Sequence, residues 1–489
     1  MLTRLLAKLG ALGRFGFAAL VLFVAMGCAT TTVTKPADAP PAAKRWRDAP
    51  DWKAAGDETV ELLRGYLRVD TTNPPGNEVR GAEYLGAVLK REGIPFEIVE
   101  SAPGRGNVIA ELKGSGEEKP LCLLSHIDVV TADTAKWPPG KGPLSATLDD
   151  KGMIWGRGAL DMKGLGAIEL MTMVLLKRQN VPLKRSVFLL AVADEEQGGS
   201  GMRFVADERW GDIGCSHVLN EGGIGVQDLF VKGQSVYAIS IAEKGILWLQ
   251  MTAHGDTGHG STPMPGRAPE RLLRALSRLR ARGLTPTIHP ALYDLSARVG
   301  DDAGGFTGFV LERPTLLRAF ALDKFMANPE SRAALIDTVS VTGFEGRRAP
   351  NVVPSEVSAI LDCRLLPGTR PVDFFAKLTD IVDDPLVTFE AIQIAQPTES
   401  PWNDPFFDAL VREALDGRTQ VVAGPAISPG TTDSRFLRDK GVRAYGLVPF
   451  VIPKEDFKGI HGTGERVSVE NVHRGLRIVY RAVVDVAAK

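Results

Sequence analysis

The sequence predicts an α/β fold of two domains. Two observations predict it: strands alternate with helices along the first half of the chain, and polar residues follow the carboxyl ends of those strands. With 489 residues the chain is long for one domain, and 44% hydrophobic residues are enough for sizeable cores. We therefore expect a largely parallel sheet whose functional site lies at the carboxyl ends of its strands.

The N-terminal residues resemble a bacterial lipoprotein signal. Three basic residues precede an apolar run over residues 15–27, and Cys28 follows. The run is shorter than the ~20 residues of a membrane span. The resemblance implies a signal over residues 1–28, a lipid on Cys28 and, because Ala29 comes next, attachment to the outer membrane on its periplasmic side. A plain signal peptide or an uncleaved anchor is the alternative, since Met26 is unusual at its place in such signals.

The elements that follow are predicted from the spacing of apolar residues. Residues 29–50 form a flexible tether, because residues 30–41 are rich in Thr, Pro and Ala. Helices are predicted over residues 58–67, 79–92, 162–177 and 268–282. Strands are predicted over residues 95–100, 107–113, 121–124, 186–193, 217–219, 246–253 and 356–361.

Three cysteines remain if Cys28 carries a lipid. Cys122, Cys215 and Cys363 have no C-x-x-C spacing, and two of them lie in apolar, strand-like surroundings. We expect small buried side chains with neither a disulfide framework nor a thiolate metal site, although an exported protein could pair two of them.

A histidine and a carboxylate follow the strand over residues 121–124. Residues two apart on a strand share a face, so His126 and Asp128 are expected side by side. A carboxylate beside an imidazole fixes the tautomer of the ring, an arrangement usual for metal-ligating histidines. The pair suggests metal chemistry.

Acidic residues follow two further strands. Glu195 and Glu196 end the strand over residues 186–193, and Glu221 ends the strand over residues 217–219. Adjacent acids are usually a solvated turn. Here the chain must turn sharply, so neighbouring side chains point different ways and one carboxylate can bind a metal while the other faces substrate.

Several function classes are disfavoured. The net charge of -1 provides no electrostatic footprint for nucleic acid. We find no Gly-x-Ser-x-Gly motif of a serine hydrolase and no phosphate-binding P-loop. A peptide or small-molecule substrate is expected.

Five motifs resemble, in order and spacing, a family of co-catalytic di-zinc exopeptidases and amidohydrolases that includes aminoacylase, carboxypeptidase G, succinyl-diaminopimelate desuccinylase and Gly-X carboxypeptidase. They are His126-x-Asp128, Gly158-Ala159-Leu160-Asp161-Met162-Lys163-Gly164, Asp194-Glu195-Glu196, Glu221-Gly222-Gly223 and Ile460-His461-Gly462-Thr463-Gly464-Glu465-Arg466. The similarity covers about residues 55–487. Trp137-Pro138, Trp155-Gly156-Arg157 and residues 284–338 favour the branch of Gly-X carboxypeptidases and N-fatty-acyl-amino-acid hydrolases.

The resemblance implies a centre of two zinc ions, with cobalt or manganese as alternatives. Its ligands would be His126 and Glu221 for one ion, Glu196 and His461 for the other, and Asp161 as the bridge. Glu195 would be the general base, which takes a proton from the attacking water and passes it to the leaving nitrogen. Asp128 would orient His126.

The resemblance also implies the domain organisation. A zinc-exopeptidase-like catalytic α/β/α domain would comprise residues 51–243 and 367–489, with a smaller α+β lid and dimerisation domain inserted at residues 244–366. A homodimer could form through this lid. His259 of the lid would then reach the active site of the partner subunit and donate to the developing oxyanion.

Further residues would bind substrate by the same resemblance: Asn351 and Arg364 in the lid, and Gly430 and Arg435 in the catalytic domain. An arginine that reads a free terminal carboxylate would explain exopeptidase selectivity. Which arginine does so stays open, and a surface ion pair is the alternative for either.

The expected function is hydrolysis of an amide bond next to a free carboxylate, which releases an amino acid from a short peptide or an N-acyl amino acid. The alternative is a non-catalytic lipoprotein of the cell envelope that binds peptides or wall fragments on the same fold.

Overall fold

The computed structural model describes residues 30–31, 33, 35–40, 43–283, 285–346 and 349–489. The predicted signal over residues 1–28, including Cys28, lies outside the described residues. Among the residues that the structure describes, no helix is both long and apolar enough to cross a membrane.

A sheet of nine strands organises the larger domain. In spatial order its strands are Thr398–Glu399, Ser235–Glu243, Arg443–Ile452, His217–Gln227, Leu121–His126, Val187–Val192, Gly106–Leu112 and Phe96–Glu100, and Val421–Ser428 pairs with Ser235–Glu243. The ladders at the centre are parallel, whereas those toward the edge at Phe96–Glu100 are antiparallel. The predicted parallel sheet is therefore found at the centre of a mixed sheet.

Helices cover both faces of this sheet. They are Lys44–Arg47, Trp52–Leu67, Glu78–Arg91, Lys163–Arg178, Ser200–Phe204, Trp210–Ile213, Pro405–Leu415, Ser434–Arg438 and Val469–Ala487, with a π-turn at Val205–Arg209 and short 3-10 turns at Thr134–Lys136 and Lys454–Gly459. Alternate residues of the central strand face opposite sides: Leu121 and Leu123 enter one core, and Cys122 and Leu124 enter the other. Burial on both faces explains why residues 121–124 of this strand are all apolar.

A second, four-stranded antiparallel sheet forms the smaller domain. Its strands, in spatial order, are Thr338–Glu345, Glu356–Leu365, Gly245–His254 and Val387–Ala395. The helices Ala268–Arg282 and Pro371–Val382 pack on one face of it, where Leu247, Leu249 and Met251 are buried. This is the α+β domain that the sequence predicts as an insertion.

The structure differs from the predicted bounds of that insertion in two places. The small sheet takes its fourth strand from Val387–Ala395, beyond the predicted end at Leu366. The helices Pro290–Ala303, Gly305–Leu311, Pro314–Phe320, Leu322–Ala327 and Pro329–Ala333 lie within the predicted insertion. However, Leu295 and Val299 bury their side chains with Val236 and Val422 of the large sheet, so this helical segment packs on the larger domain.

Smaller strand pairs close the loops. Thr72–Asn73 pairs with Val129–Val130, and Gly258–His259 pairs with Val352–Val353. A three-stranded sheet joins Thr147–Leu148, Met153–Trp155 and Arg466–Ser468.

The strand that begins at His217 is longer than predicted. It does not end at Glu221-Gly222-Gly223 but continues to Gln227. A side chain at Gly223 would lie 2.0 Å from the carbonyl oxygen of Ala238 on the next strand. Glycine therefore lets the strand continue where neighbouring backbones come close.

The expectation of unpaired cysteines is wrong for two of them. Cys122 and Cys215 form a disulfide, and Cys363 is the free, buried cysteine among the described residues. The two cysteines lie 93 residues apart in the chain. Their spacing alone does not show that the fold brings Cys215, just before the strand His217–Gln227, beside Cys122 on the central strand.

Candidate metal centre

The candidate site lies at the carboxyl ends of the central parallel strands. His126 is the last residue of Leu121–His126, and the neighbouring strand Val187–Val192 leads directly to Glu195 and Glu196. Parallel strands bring their carboxyl ends to one edge of a sheet, so these segments meet there. Asp161 comes to the same edge from the turn before the helix Lys163–Arg178.

Two histidines face one shared carboxylate. The Nε2 atom of His126 lies 3.1 Å from Asp161 Oδ1 and 3.7 Å from Glu221 Oε1. The Nε2 atom of His461 lies 2.9 Å from Asp161 Oδ2 and 3.1 Å from Glu196 Oε2. Each oxygen of Asp161 thus belongs to a different trio, with ligand atoms inside each trio no more than 4.8 Å apart. The structure brings all five predicted ligands together in the predicted grouping.

The donor set fits two divalent metal ions. Three carboxylates and two imidazoles suit zinc and its chemical neighbours. Glu196 Oε1 is buried and has no hydrogen-bond partner in the described part of the chain, which leaves an acceptor for a cation. Burial and the charge of Asp161 raise the pKa of Glu221, and hydrogen bonds to Asp161 and Glu196 raise the pKa of His461 to about 10. So much negative charge calls for compensating cations.

Asp128 connects two parts of the site. Its backbone oxygen lies 2.9 Å from His126 Nδ1, whereas its carboxylate oxygen Oδ1 is 3.5 Å from that nitrogen. The carboxylate instead accepts hydrogen bonds from the backbone N–H groups of Glu195 and Glu196, at 3.1 and 3.2 Å. Burial alone would raise the pKa of Asp128, but the neighbouring His126 ring and a hydrogen bond from Asn73 hold it below its usual range. Asp128 therefore orients His126 chiefly through its backbone and fixes the acidic loop through its side chain.

Glu195 lies on the same loop as Glu196 but belongs to neither trio. Burial and the charge of Glu221 raise its pKa well above the usual range. A carboxylate with a raised pKa, held beside a metal site, is suited to accept a proton and release it again. These are the properties that the predicted general base needs.

A buried ion pair that the sequence analysis missed holds the loop of Asp161. Glu465 accepts from Arg157 at 2.7 Å, and its Oε1 accepts the backbone N–H of Leu160 at 2.7 Å and of Asp161 at 3.1 Å. Both partners are almost fully buried. Arg157 stands in Trp155-Gly156-Arg157 and Glu465 in the motif of His461, but nothing in either motif shows that the two charges meet.

A second missed network lies behind the acidic loop. Asn73 donates to Asp128 at 2.8 Å and to Asp194 at 2.9 Å. Arg105 pairs with the buried Glu78 at 2.5 Å and reaches Asp194 at 3.4 Å. Glu78, Asp128 and Asp194 thus form a third group of acids, and the guanidinium of Arg105 beside them balances part of their negative charge.

The predicted substrate residues of the small domain make contacts with neighbours in that domain. His259 is exposed, its Nδ1 lies 2.7 Å from Ser261 Oγ, and its neighbour Gly260 donates to the carbonyl of Asn351. Arg364 forms an ion pair with Asp362 on its own strand, at 2.8 Å, and this pairing matches the alternative stated for it.

The predicted substrate residues of the large domain lie near the acidic loop. Arg435 donates to the carbonyl of Gly198, two residues beyond Glu196, at 3.1 Å. Gly430 begins the loop that leads to Arg435. Thr432 of this loop donates two hydrogen bonds to the buried Glu243, one from its backbone N–H and one from its hydroxyl. Of the two arginines, Arg435 is therefore the one placed beside the metal ligands' own loop.

Comparison with protein families matches residues 122–485 to the family described as Peptidase family M20/M25/M40. The chain is 28% identical over 450 residues to the human N-fatty-acyl-amino acid synthase/hydrolase PM20D1, covering 86% of each chain. It is 26% identical over 438 residues to aminoacylase-1A of Rattus norvegicus, covering 88% of this chain and 95% of the relative.

Solved structures share the fold. The M20 family metallo-carboxypeptidase Sso-CP2 of Sulfolobus solfataricus superposes with a TM-score of 0.65 at 21% identity, over 88% of this chain and 99% of that one. Human carnosine dipeptidase 1 superposes with a TM-score of 0.60 at 15% identity, over 92% of this chain and 99% of that one.

Proposed function

The chain belongs to peptidase family M20/M25/M40, and from that premise we propose that it cleaves an amide bond next to a free carboxylate, releasing an amino acid from a short peptide or an N-acyl amino acid. The observation that carries the proposal is the position of Asp161 between the two histidines. The relatives include enzymes named for N-acyl amino acids, and the similar structures include a carboxypeptidase and a dipeptidase.

The five ligands would hold two zinc ions. When bound, such ions lower the pKa of water and polarise the carbonyl group of the scissile bond. Cobalt and manganese accept the same donors. Zinc is preferred here because each trio has one imidazole nitrogen beside carboxylate oxygens.

The chain's own groups divide the remaining work. Glu195 takes the proton from the attacking water and passes it to the leaving nitrogen, for which its raised pKa suits it. Asp128 holds the loop of Glu195 through two backbone N–H groups, and so fixes the base relative to the ligands. Glu465 fixes Asp161 in the same manner.

Recognition of the free carboxylate is assigned to Arg435. Its guanidinium lies beside Gly198 on the acidic loop, whereas Arg364 is already engaged by Asp362. A guanidinium can bind a carboxylate with two parallel hydrogen bonds. In a dimer, His259 and Asn351 of the small domain would complete the site of the partner subunit.

The protein is proposed to be exported and anchored by a lipid on Cys28, facing the periplasm from the outer membrane. The disulfide between Cys122 and Cys215 supports export, because disulfides persist in oxidising compartments.

The structure ends the predicted tether of residues 29–50 earlier, because Ala43 is buried in the core of the larger domain and Arg47 of the helix Lys44–Arg47 pairs with Glu413 and Asp485. The residues before that helix would connect the anchor to the folded domains.

A homodimer through the small domain is also proposed. The strand Thr338–Glu345 is an edge of the small sheet, and Val341 and Phe344 on it are 44% and 68% exposed. An apolar edge strand is a ready surface for pairing with a second copy.

The test uses the full-length chain purified in detergent. Metal content and released amino acid are measured together on dipeptides and on N-acyl amino acids of increasing acyl length. Two metal ions per chain and release that a chelator abolishes are expected, and the preferred substrate separates a peptidase from an acylase. No release from any substrate by the metal-loaded chain would contradict the proposal and favour the binding-protein alternative.

A further inference from the structure

Three phenylalanines are strongly exposed on the helical segment that packs on the larger domain. Phe306, Phe309 and Phe320 are 76%, 46% and 70% exposed. A benzyl group left in water forgoes a large part of its transfer free energy. Large apolar side chains left this exposed mark a surface that binds something else.

The three rings belong to two consecutive short helices. Phe306 and Phe309 are three residues apart on Gly305–Leu311, so they share a helix face. Phe320 ends the next helix, Pro314–Phe320. Arg313, between the helices, lies with its guanidinium 4.0 Å from the ring centre of Phe309. Aromatic rings beside basic side chains are typical of segments that lie at the interface of a lipid bilayer.

The N-terminal tether begins at this surface. The backbone N–H of Thr31 donates to the carbonyl of Glu312 at 3.0 Å, and Glu312 is the C-cap of the helix that carries Phe306 and Phe309. Cys28 is three residues before Thr31, and three residues span at most about 11 Å. A lipid on Cys28 would therefore enter the bilayer next to the phenylalanines.

We propose that Phe306, Phe309 and Phe320 form a membrane-docking surface that lies on the lipid bilayer beside the anchor. The inference rests on the proposed lipid at Cys28 and goes beyond it. A lipid on a flexible tether holds a protein near a membrane but leaves its orientation free. A second contact next to the anchor fixes which side of the larger domain faces the bilayer.

The test measures contact with lipid at single positions. The full-length chain, purified from membranes, is reconstituted into vesicles of phosphatidylethanolamine and phosphatidylglycerol with or without brominated acyl chains, which quench tryptophan fluorescence on contact. Phe309→Trp places a reporter on the surface. Ile392→Trp is the matched control, since Ile392 is 53% exposed but lies on the strand Val387–Ala395 of the small sheet, at the edge opposite the proposed dimer strand. The emission that each variant adds to that of the wild type is compared.

The proposal expects the added emission of Phe309→Trp to be quenched several-fold more strongly than that of Ile392→Trp. Equal quenching, or no quenching at Phe309→Trp, would overturn it, as would crosslinking of vesicle-bound chains in pairs through this helix. Mass spectrometry of the N-terminal peptide tests the anchor separately. An acylated Cys28 with no quenching removes the docking surface alone, whereas an unmodified Cys28 removes both proposals and leaves the hydrolase proposal to its own assay.

Discussion

Glu195 stands beside the two groups of candidate metal ligands without belonging to either, so its substitution separates catalysis from metal binding. Glu195→Gln should retain near wild-type metal content while turnover falls by at least ~10²-fold, since a general base contributes about that much or more. Metal analysis and initial rates check this. Glu208→Gln, on the surface, is the control. A variant with full activity would show that another group accepts the proton.

Glu169 is a buried acid that the proposed chemistry does not use, and it makes stability depend on pH. Burial raises its pKa well above the usual value near 4.5. Because the folded pKa is the higher one, the folded state keeps a proton that the unfolded state loses as the pH rises. The contribution is fully present below pH ~4.5 and is lost as the pH rises toward the folded pKa, by about 1.4 kcal/mol per pH unit.

Glu169→Gln should remove this dependence, because the amide does not ionise. The free energy of unfolding of the variant, minus that of the wild type, should therefore increase from pH 5 to pH 7 in urea titrations. Glu208→Gln controls for the loss of one charge at the surface. A constant difference across this range would mean that Glu169 titrates alike in the folded and unfolded chain.

At the residue level, the sequence predicts the candidate metal ligands but not the residues that hold those ligands in place. His126, Asp161, Glu196, Glu221 and His461 are brought together as predicted because their motifs end or follow strands of one sheet. The residues that hold the ligands in place come from segments far apart in the sequence. Arg157 and Glu465 are 308 residues apart, and no local pattern shows that their charges meet.

At the scale of elements, the buried pair of Arg157 and Glu465 joins the loop of Asp161 to the loop of His461. Arg157→Met leaves the Glu465 carboxylate buried without its counter-charge, and we expect a loss of about 3–5 kcal/mol in the free energy of unfolding. Metal affinity should fall as well, since the backbone of Asp161 is held by Glu465. Chemical denaturation and metal titration measure the two effects.

The control is another arginine ion pair on the surface. Arg370 pairs with Asp373 at 2.6 Å, and their side chains are 70% and 58% exposed. Arg370→Met should leave the free energy of unfolding close to that of the wild type. Equal losses in the two variants would show that burial of Arg157 is not what makes its pair important.

Helices and strands follow the predicted order because apolar spacing records which face is buried. The helix predicted over residues 268–282 has those bounds in the structure, and the one predicted over residues 79–92 is observed at Glu78–Arg91. The strand from His217 is longer than predicted because its glycines are typical of a turn. Their real role, close approach to neighbouring strands, is a tertiary property.

At the scale of the whole molecule, the disulfide ties the central strand to a segment 93 residues later. A closed loop of that length is expected to contribute up to about 4–5 kcal/mol in the chain-entropy account. Thermal unfolding should shift to lower temperature with a reductant in the wild type, and should not respond to it in the Cys122→Ala, Cys215→Ala double variant. Cys363→Ala, which removes the buried free thiol, should retain the wild-type response.

A thiol count is the complementary measurement. The unfolded, non-reduced chain should react with an alkylating reagent at Cys363 and at neither Cys122 nor Cys215. Reaction at all three would show that the protein as isolated lacks the bond. It would also remove the support that the disulfide provides for export.

The sequence predicts that there are two domains but not which segments belong to each of them. An inserted α+β domain is predicted from motif resemblance, but which segments pack on which sheet depends on contacts between distant residues. Leu295 joins Val422 in the core of the larger domain, and Val387–Ala395 joins the small sheet after the predicted insertion has ended.

The two histidines of the metal centre differ in their access to water. The side chain of His126 is fully buried, whereas that of His461 is 55% exposed. Exchange of a bound ion requires a competing ligand to enter, so the position at His461 should equilibrate with the medium faster than the position at His126. Addition of a chelator to the loaded protein should release metal in two kinetic phases of equal amplitude. The protein would then pass through a long-lived form with a single ion, in which the inner position still reports the metal acquired when the chain first folded.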